Sequence, residues 1–171
     1  MHFNPYGGAA AELAAALVNA RPDSTADDLL ALLREHGYKP LGALDEAQAR
    51  ELTAWAARLA PVFDRTPDQV ALVNDLLTEA AAKPYISTHD GRAPHLHFAP
   101  EHAPTPHRVR AFTAAGLAHA VCEDPHRLGR CARPGCRTVY VDTSRNGRRR
   151  FCTTRCANRV HVAGHRTRTA V

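Results

Sequence analysis

The chain has 171 residues, 22 Lys+Arg against 17 Asp+Glu, and a formal net charge of +5. That length allows one domain with a small appended module, and no apolar stretch approaches the roughly 20 residues that cross a bilayer. The charge is unevenly spread: residues 122–171 hold twelve Arg, no Lys and only Glu123, Asp124 and Asp142, a formal +9, whereas residues 1–121 sum to −4.

Residues 1–125 read as a mostly helical domain with a small β-hairpin. Gly8–Val18 is an alanine- and leucine-rich helix. Ser24 or Thr25 suits the N-cap of a second helix, because its hydroxyl can accept from an unpaired backbone N–H. Leu29, Leu30, Leu32 and Leu33 give that helix its core side. Asp45 opens a third, through Leu52, Trp55 and Leu59, until Pro61 interrupts it. Thr66-Pro-Asp-Gln69 predicts a capping box with proline at the first helical position. The helix after it repeats Val70, Val73, Leu76 and Leu77 at three- and four-residue spacing, a core-facing stripe.

The pattern then changes to alternation. Tyr85–His89 and His95–Phe98 read as strands joined by a turn at Asp90-Gly91. Thr105-Pro106 starts a last long helix through Val109, Phe112, Leu117 and Val121, with Cys122 expected as a small core residue. His95 and His97 share a strand face, the placement two ligands require. With Trp55, His89 and Arg92 they make the candidate pocket for a small-molecule effector. A plain polar sheet face is the default reading of the same residues.

Residues 126–171 carry the most specific signal. Four of the five cysteines form two pairs, Cys131-x4-Cys136 and Cys152-x3-Cys156. Four thiolates close a tetrahedron around Zn²⁺ and leave no position for substrate, so the pattern implies one structural zinc. Pro134-Gly135 provides a turn that curls the first pair together. On a helix, the i,i+4 spacing places the second pair on one face. Thr138–Asp142 reads as a strand, and Asn146-Gly147 is a strong hairpin signal leading into Arg148–Phe151. A basic helix follows, on which His161 and His165 are polar positions and not ligands. Knuckle, hairpin and helix in that order describe a treble-clef-like finger in an α+β fold. The opening Met1-His-Phe-Asn-Pro5 lacks an apolar leader, which sets the expectation of a cytoplasmic protein with reduced thiols.

Zinc held by four thiolates lowers the charge of this segment by two, leaving about +7. Arginine grips phosphate or guanine with two parallel hydrogen bonds. Arg145, Asn146, Arg148, Arg149 and Arg150 cluster at the turn; Arg155, Asn158, Arg159, Arg166 and Arg168 follow on the helix and tail. A compositional bias explains arginine in place of lysine but not the missing acids. The pattern favours nucleic-acid contact over a merely solvated basic face.

The run from Cys131-Ala-Arg-Pro-Gly-Cys136, through Val141–Cys152, to Cys156-Ala-Asn-Arg159 resembles the CGNR zinc finger of bacteria. Ala157 stands where that family has glycine, and Phe151 where tryptophan is common. The preceding region resembles, in order and length, the ABATE domain that usually accompanies this finger. The resemblance implies a stress-induced transcription regulator.

These features lead to a one-component regulator that senses or dimerises through its N-terminal domain and binds DNA through the finger. Two other partners stay open, RNA (including the ribosome) and an acidic protein, because charge does not separate them. A homodimer is expected if DNA is the target, since one finger contacts few base pairs. No nucleophile elbow, phosphate-binding glycine loop or paired carboxylates point to an enzyme.

Overall fold

The computed structural model describes residues 5–88 and 93–169. Among them, six helices and two two-stranded sheets make an α+β fold. The helices are α1 (Pro5–Asn19), α2 (Ala26–Glu35), α3 (Glu46–Leu59), α4 (Gln69–Glu79), α5 (Thr105–Glu123) and α6 (Thr154–Thr169). The strands are β1 (Tyr85–Ser87) and β2 (His95–His97), then β3 (Leu128–Arg130) and β4 (Val139–Val141).

Two helix starts follow the cap chemistry of the sequence. Thr25 Oγ1 accepts from the Asp28 N–H at 3.2 Å, and the Asp28 carboxylate accepts from the Thr25 N–H at 2.9 Å. Asp45 and Gln48 repeat this reciprocal pair at 2.8 and 3.1 Å. Each pair satisfies backbone donors that the first turn leaves unbonded. Pro61 ends α3, and the chain continues as a 3-10 turn, Ala60–Asp64.

The capping box expected at Thr66 does not form. Gln69 is buried, and its side-chain amide donates to the Val62 carbonyl at 2.7 Å. A buried amide must find a partner, and Val62 outcompetes the cap. Asp68 therefore precedes α4 without a side-chain cap bond. Val70, expected in the core, is 59% exposed, while Val73 and Leu76 are buried.

α1 and α5 pack along each other at the centre, with α2, α3 and α4 around them. A Cβ added to Gly116 on α5 would lie 2.3 Å from the Ala10 Cβ and 2.7 Å from α1 backbone, so only glycine permits this approach. Leu13, Leu17, Leu29, Leu33, Leu52 and Phe63 are among the fully buried side chains.

The core does not stop at residue 125, where composition and charge change. Leu128, Val139 and Val141 of β3 and β4 belong to the same buried cluster as the helices. Asn19, at the end of α1, donates to the Val139 carbonyl and accepts from its N–H, both at 2.9 Å. Arg65 donates to the Leu128 carbonyl at 2.5 Å, and Arg130 pairs with Asp64 at 2.6 Å. The β3–β4 hairpin is thus seated on the helical layer by apolar burial and by polar contacts at its edges.

β1 and β2 pair antiparallel, as expected, with Ile86 opposite Leu96. Both are exposed, at 70% and 48%, and make the face of the small sheet opposite His95 and His97 apolar. The expected turn at Asp90-Gly91 lies outside the described residues.

Candidate metal centre and basic helix

The cysteine loop is built by the β3–β4 hairpin. Leu128 pairs with Val141 and Arg130 with Val139, so residues 131–138 form the connection between the strands. Cys131 and Cys136 lie in it. The Cys131 N–H donates to the Thr138 carbonyl at 2.9 Å, and the Cys136 N–H to the Arg133 carbonyl at 3.0 Å. Gly135, at φ +75°, supplies the left-handed residue that curls Cys136 back toward Cys131.

This arrangement corrects the hairpin read from Asn146-Gly147. The partner of β4 is β3, the strand before the cysteine loop, and Arg148–Phe151 form no strand. Asp142 redirects the chain. It is 1% exposed, and its carboxylate accepts from the N–H groups of Ser144 at 3.0 Å and Arg149 at 2.7 Å. The turn at 144–147 is therefore closed by a side chain, and the following residues return beside the cysteine loop. There the Arg150 carbonyl accepts from the Ala132 N–H at 2.8 Å.

The second pair straddles a helix start. Cys152 precedes α6 and Cys156 lies in its first turn. Thr153 caps the helix, its hydroxyl accepting from the Cys156 N–H at 3.2 Å. The positive end of the helix dipole favours a thiolate at that position.

All four sulfurs lie within 4.8 Å of one another, with Cys152 to Cys156 at 3.5 Å and Cys136 to Cys152 at 3.9 Å. Tetrahedral zinc with bonds of about 2.3 Å sets its sulfurs about 3.8 Å apart. The four thiols fit one Zn²⁺, and none of them is in a disulfide. The protein surroundings of the four thiols pull in opposite directions. A hydrogen bond with Thr138 holds the Cys136 thiol down at about 6, whereas burial and then the neighbouring sulfurs push Cys152 up to about 12. The Thr153 hydroxyl and then Arg133 lower Cys156. A divalent cation removes the conflict, because it favours all four thiolates together.

Arg133 and Arg149 are parts of the centre that sequence reasoning missed in this role. Arg133 Nε donates to Cys156 Sγ at 3.2 Å, so its charge offsets part of the excess negative charge of four thiolates. Arg149 is a clamp. Its guanidinium donates to the carbonyls of Phe151 at 3.0 Å, Val141 at 3.3 Å and Cys152, and it lies 4.8 Å over the Tyr140 ring. Tyr140 donates its hydroxyl to the Arg149 carbonyl at 2.6 Å. Arg149 was expected at a nucleic-acid face; it is exposed, and three of its donors engage the finger's own backbone. Arg127 and Arg130 are likewise committed, Arg127 to the Asp142 and Ser144 carbonyls at 2.8 Å and Arg130 to Asp64. The Asp142-x-Ser144 spacing was the available signal for the turn; nothing in the sequence marks Arg133 beyond its place inside the cysteine loop.

The other predicted contacts sort by element. Arg145, Asn146, Arg148 and Arg150 are exposed at and after the turn, Arg150 with its guanidinium 5.8 Å from the Phe151 ring. Arg155, Asn158 and Arg159 are exposed on α6 and, with Val162, line one shallow groove of about 530 Å³. No ion pair engages these arginines among the described residues. The side chains of Arg166 and Arg168 lie outside the described residues, although the backbone there is helical. His161 is no ligand; its ring meets Phe151 edge-on at 6.0 Å.

The candidate effector pocket is not assembled as read. Trp55 is core, 3% exposed, with its indole N–H donating to Thr113 Oγ1 at 2.9 Å and Arg110 5.0 Å over the ring. His95 and His97 do meet, Nε2 to Nε2 at 3.0 Å, but Trp55 does not share the cavity that His95 lines. His89 and Arg92 lie outside the described residues. Cys122, expected in the core, is exposed on α5.

A closed site of four thiolates, held between a β-hairpin loop and a helix start, defines a structural zinc finger. Residues 127–169 match the CGNR zinc finger family. The matched segment begins one residue before β3, so the family's unit includes the strand that docks on the helical layer. Ala157 of the Cys-Ala-Asn-Arg motif is helical, a position where alanine is favoured over glycine. Among curated proteins, none matches the chain. None of the helices in the described residues is long and apolar enough to cross a membrane.

Proposed function

We propose that the chain is a non-catalytic, zinc-dependent DNA-binding protein, a transcription regulator acting in the bacterial cytoplasm. The observation that carries this reading is the grouping of Arg155, Asn158 and Arg159 on one exposed, unpaired face in the first turns of α6. A helix with two arginines and an asparagine on one face suits a major groove, where arginine pairs with guanine and asparagine with adenine. Arg145, Arg148 and Arg150 then supply phosphate contacts beside it. The zinc centre would fix the start of α6 and so the direction in which this face points.

The N-terminal segment, which resembles an ABATE domain, would carry regulation or self-association in this reading. The apolar pair Ile86 and Leu96 gives a second copy a surface to meet, in keeping with the need for two half-sites. Competition between duplex DNA and structured RNA for zinc-loaded protein tests the choice of partner. Preference for the duplex supports the proposal, and preference for RNA replaces it. If neither binds, the arginine face is a docking surface for an acidic protein.

A further inference from the structure

We propose that a cavity between β2, α1 and α5 binds a one-ring aromatic compound carrying a single hydrogen-bonding group, of which phenol is the simplest. The cavity has a volume of about 200 Å³. An apolar cavity of about 150 Å³ takes a benzene ring, so this one has room for a ring and one small substituent.

Its walls set the chemistry. Phe98 and Phe112 offer aromatic faces and edges, and Leu96 and Ala10 are apolar. Gly116 brings the α1 and α5 backbones together at the floor. Aromatic side chains favour a flat ring in offset or edge-on contact.

Two imidazoles line the cavity, and they differ. His95 is engaged through both ring nitrogens, Nδ1 to the Ala93 carbonyl at 2.9 Å and Nε2 to His97 at 3.0 Å. His119 has no hydrogen bond among the described residues; its ring meets Phe98 edge-on at 6.3 Å. An imidazole carries two ring nitrogens, and in its neutral form one donates and the other accepts. The hydroxyl of phenol can pair with His119 at the wall, while its ring fills the apolar remainder.

The site is independent of the metal centre and of the arginine face, and its test involves no nucleic acid. Phenol and benzene would be titrated separately into zinc-loaded full-length protein while ring and methyl NMR signals are followed. Shifts centred on His119, Phe98, Phe112 and the Ala10 methyl are expected with both. His119→Phe is expected to weaken phenol about tenfold, the loss of one hydrogen bond, and to leave benzene binding unchanged. His119→Gln, which keeps a donor and an acceptor, should restore most of the phenol affinity. The proposal is overturned if millimolar phenol shifts none of these signals, if the shifts lie elsewhere on the protein, or if His119→Phe binds phenol as the native protein does.

Discussion

Asn19 and Val139 stand 120 positions apart, yet the side-chain amide of one pairs with both backbone groups of the other at 2.9 Å. The amide takes the place of a further strand on the outer edge of β4. It couples the end of α1 to the element that carries the cysteine loop. Asn19→Ala should lower global stability by about 1–3 kcal/mol, since it leaves a part-buried donor and acceptor unpaired. Urea denaturation checks this, and zinc content should remain at one per chain. An unchanged midpoint would mean that apolar burial alone seats the hairpin.

The arginines divide into clamps and contacts, and substitution should separate the two groups. Arg149→Ala frees the carbonyls of Phe151 and Cys152 from their shared donor and is expected to weaken zinc retention against a competing chelator. Arg133→Ala should act in the same direction through Cys156. Arg155→Ala and Arg159→Ala should leave zinc retention unchanged and reduce nucleic-acid affinity. If Arg149→Ala retains zinc like the native protein, the clamp is not needed to hold the centre.

Asp142 gives a pH signature. Burial acts to raise its pKa, but hydrogen bonds from Ser144 and the Arg149 backbone, with the charge of Arg127, outweigh burial and lower it. A carboxylate depressed in the folded state stabilises fully above the ordinary carboxylate pKa of about 4, and the contribution is lost as pH falls through the folded value. Asp142→Asn should therefore be less stable than the native protein at neutral pH, and the gap should close below about pH 4. Zinc release on acidification is common to both proteins, so their difference isolates the carboxylate. A gap that persists unchanged into strong acid would contradict the assignment.

Metal removal should act locally. Leu128, Val139 and Val141 are buried in the helical core, whereas the cysteine loop and the start of α6 are held through the four sulfurs. Chelation is expected to abolish amide-exchange protection at residues 152–160 and in the cysteine loop, and to leave protection in β3 and β4. Loss of protection throughout the chain would show that the whole fold depends on zinc.

What was legible in the sequence follows from how local each signal is. The caps at Thr25 and Asp45 and the four ligands are short-range patterns, and they could be read directly. The Thr66 cap failed because Gln69 found a buried partner in Val62, a contact between elements. The pairing of β4 with β3 was hidden for a related reason. Asn146-Gly147 does sit in a turn, but Asp142, not a returning strand, closes it. Arginine counts overstated the free basic surface, because composition cannot distinguish a guanidinium in solvent from one that grips carbonyls. Trp55 followed the apolar stripe of its helix into the core and not the candidate pocket, while Cys122, near the end of α5, is exposed.

The measurement closest to the central claim is binding of zinc-loaded protein to duplex DNA across a salt series, beside the double variant Arg148→Ala, Arg150→Ala, which removes two of the proposed phosphate contacts. The account predicts binding that weakens steeply with salt, and a double variant whose log–log salt slope is smaller by about two, close to 0.9 per lost phosphate contact. Equal affinity and slope for the two proteins, or no binding near physiological salt, would contradict it.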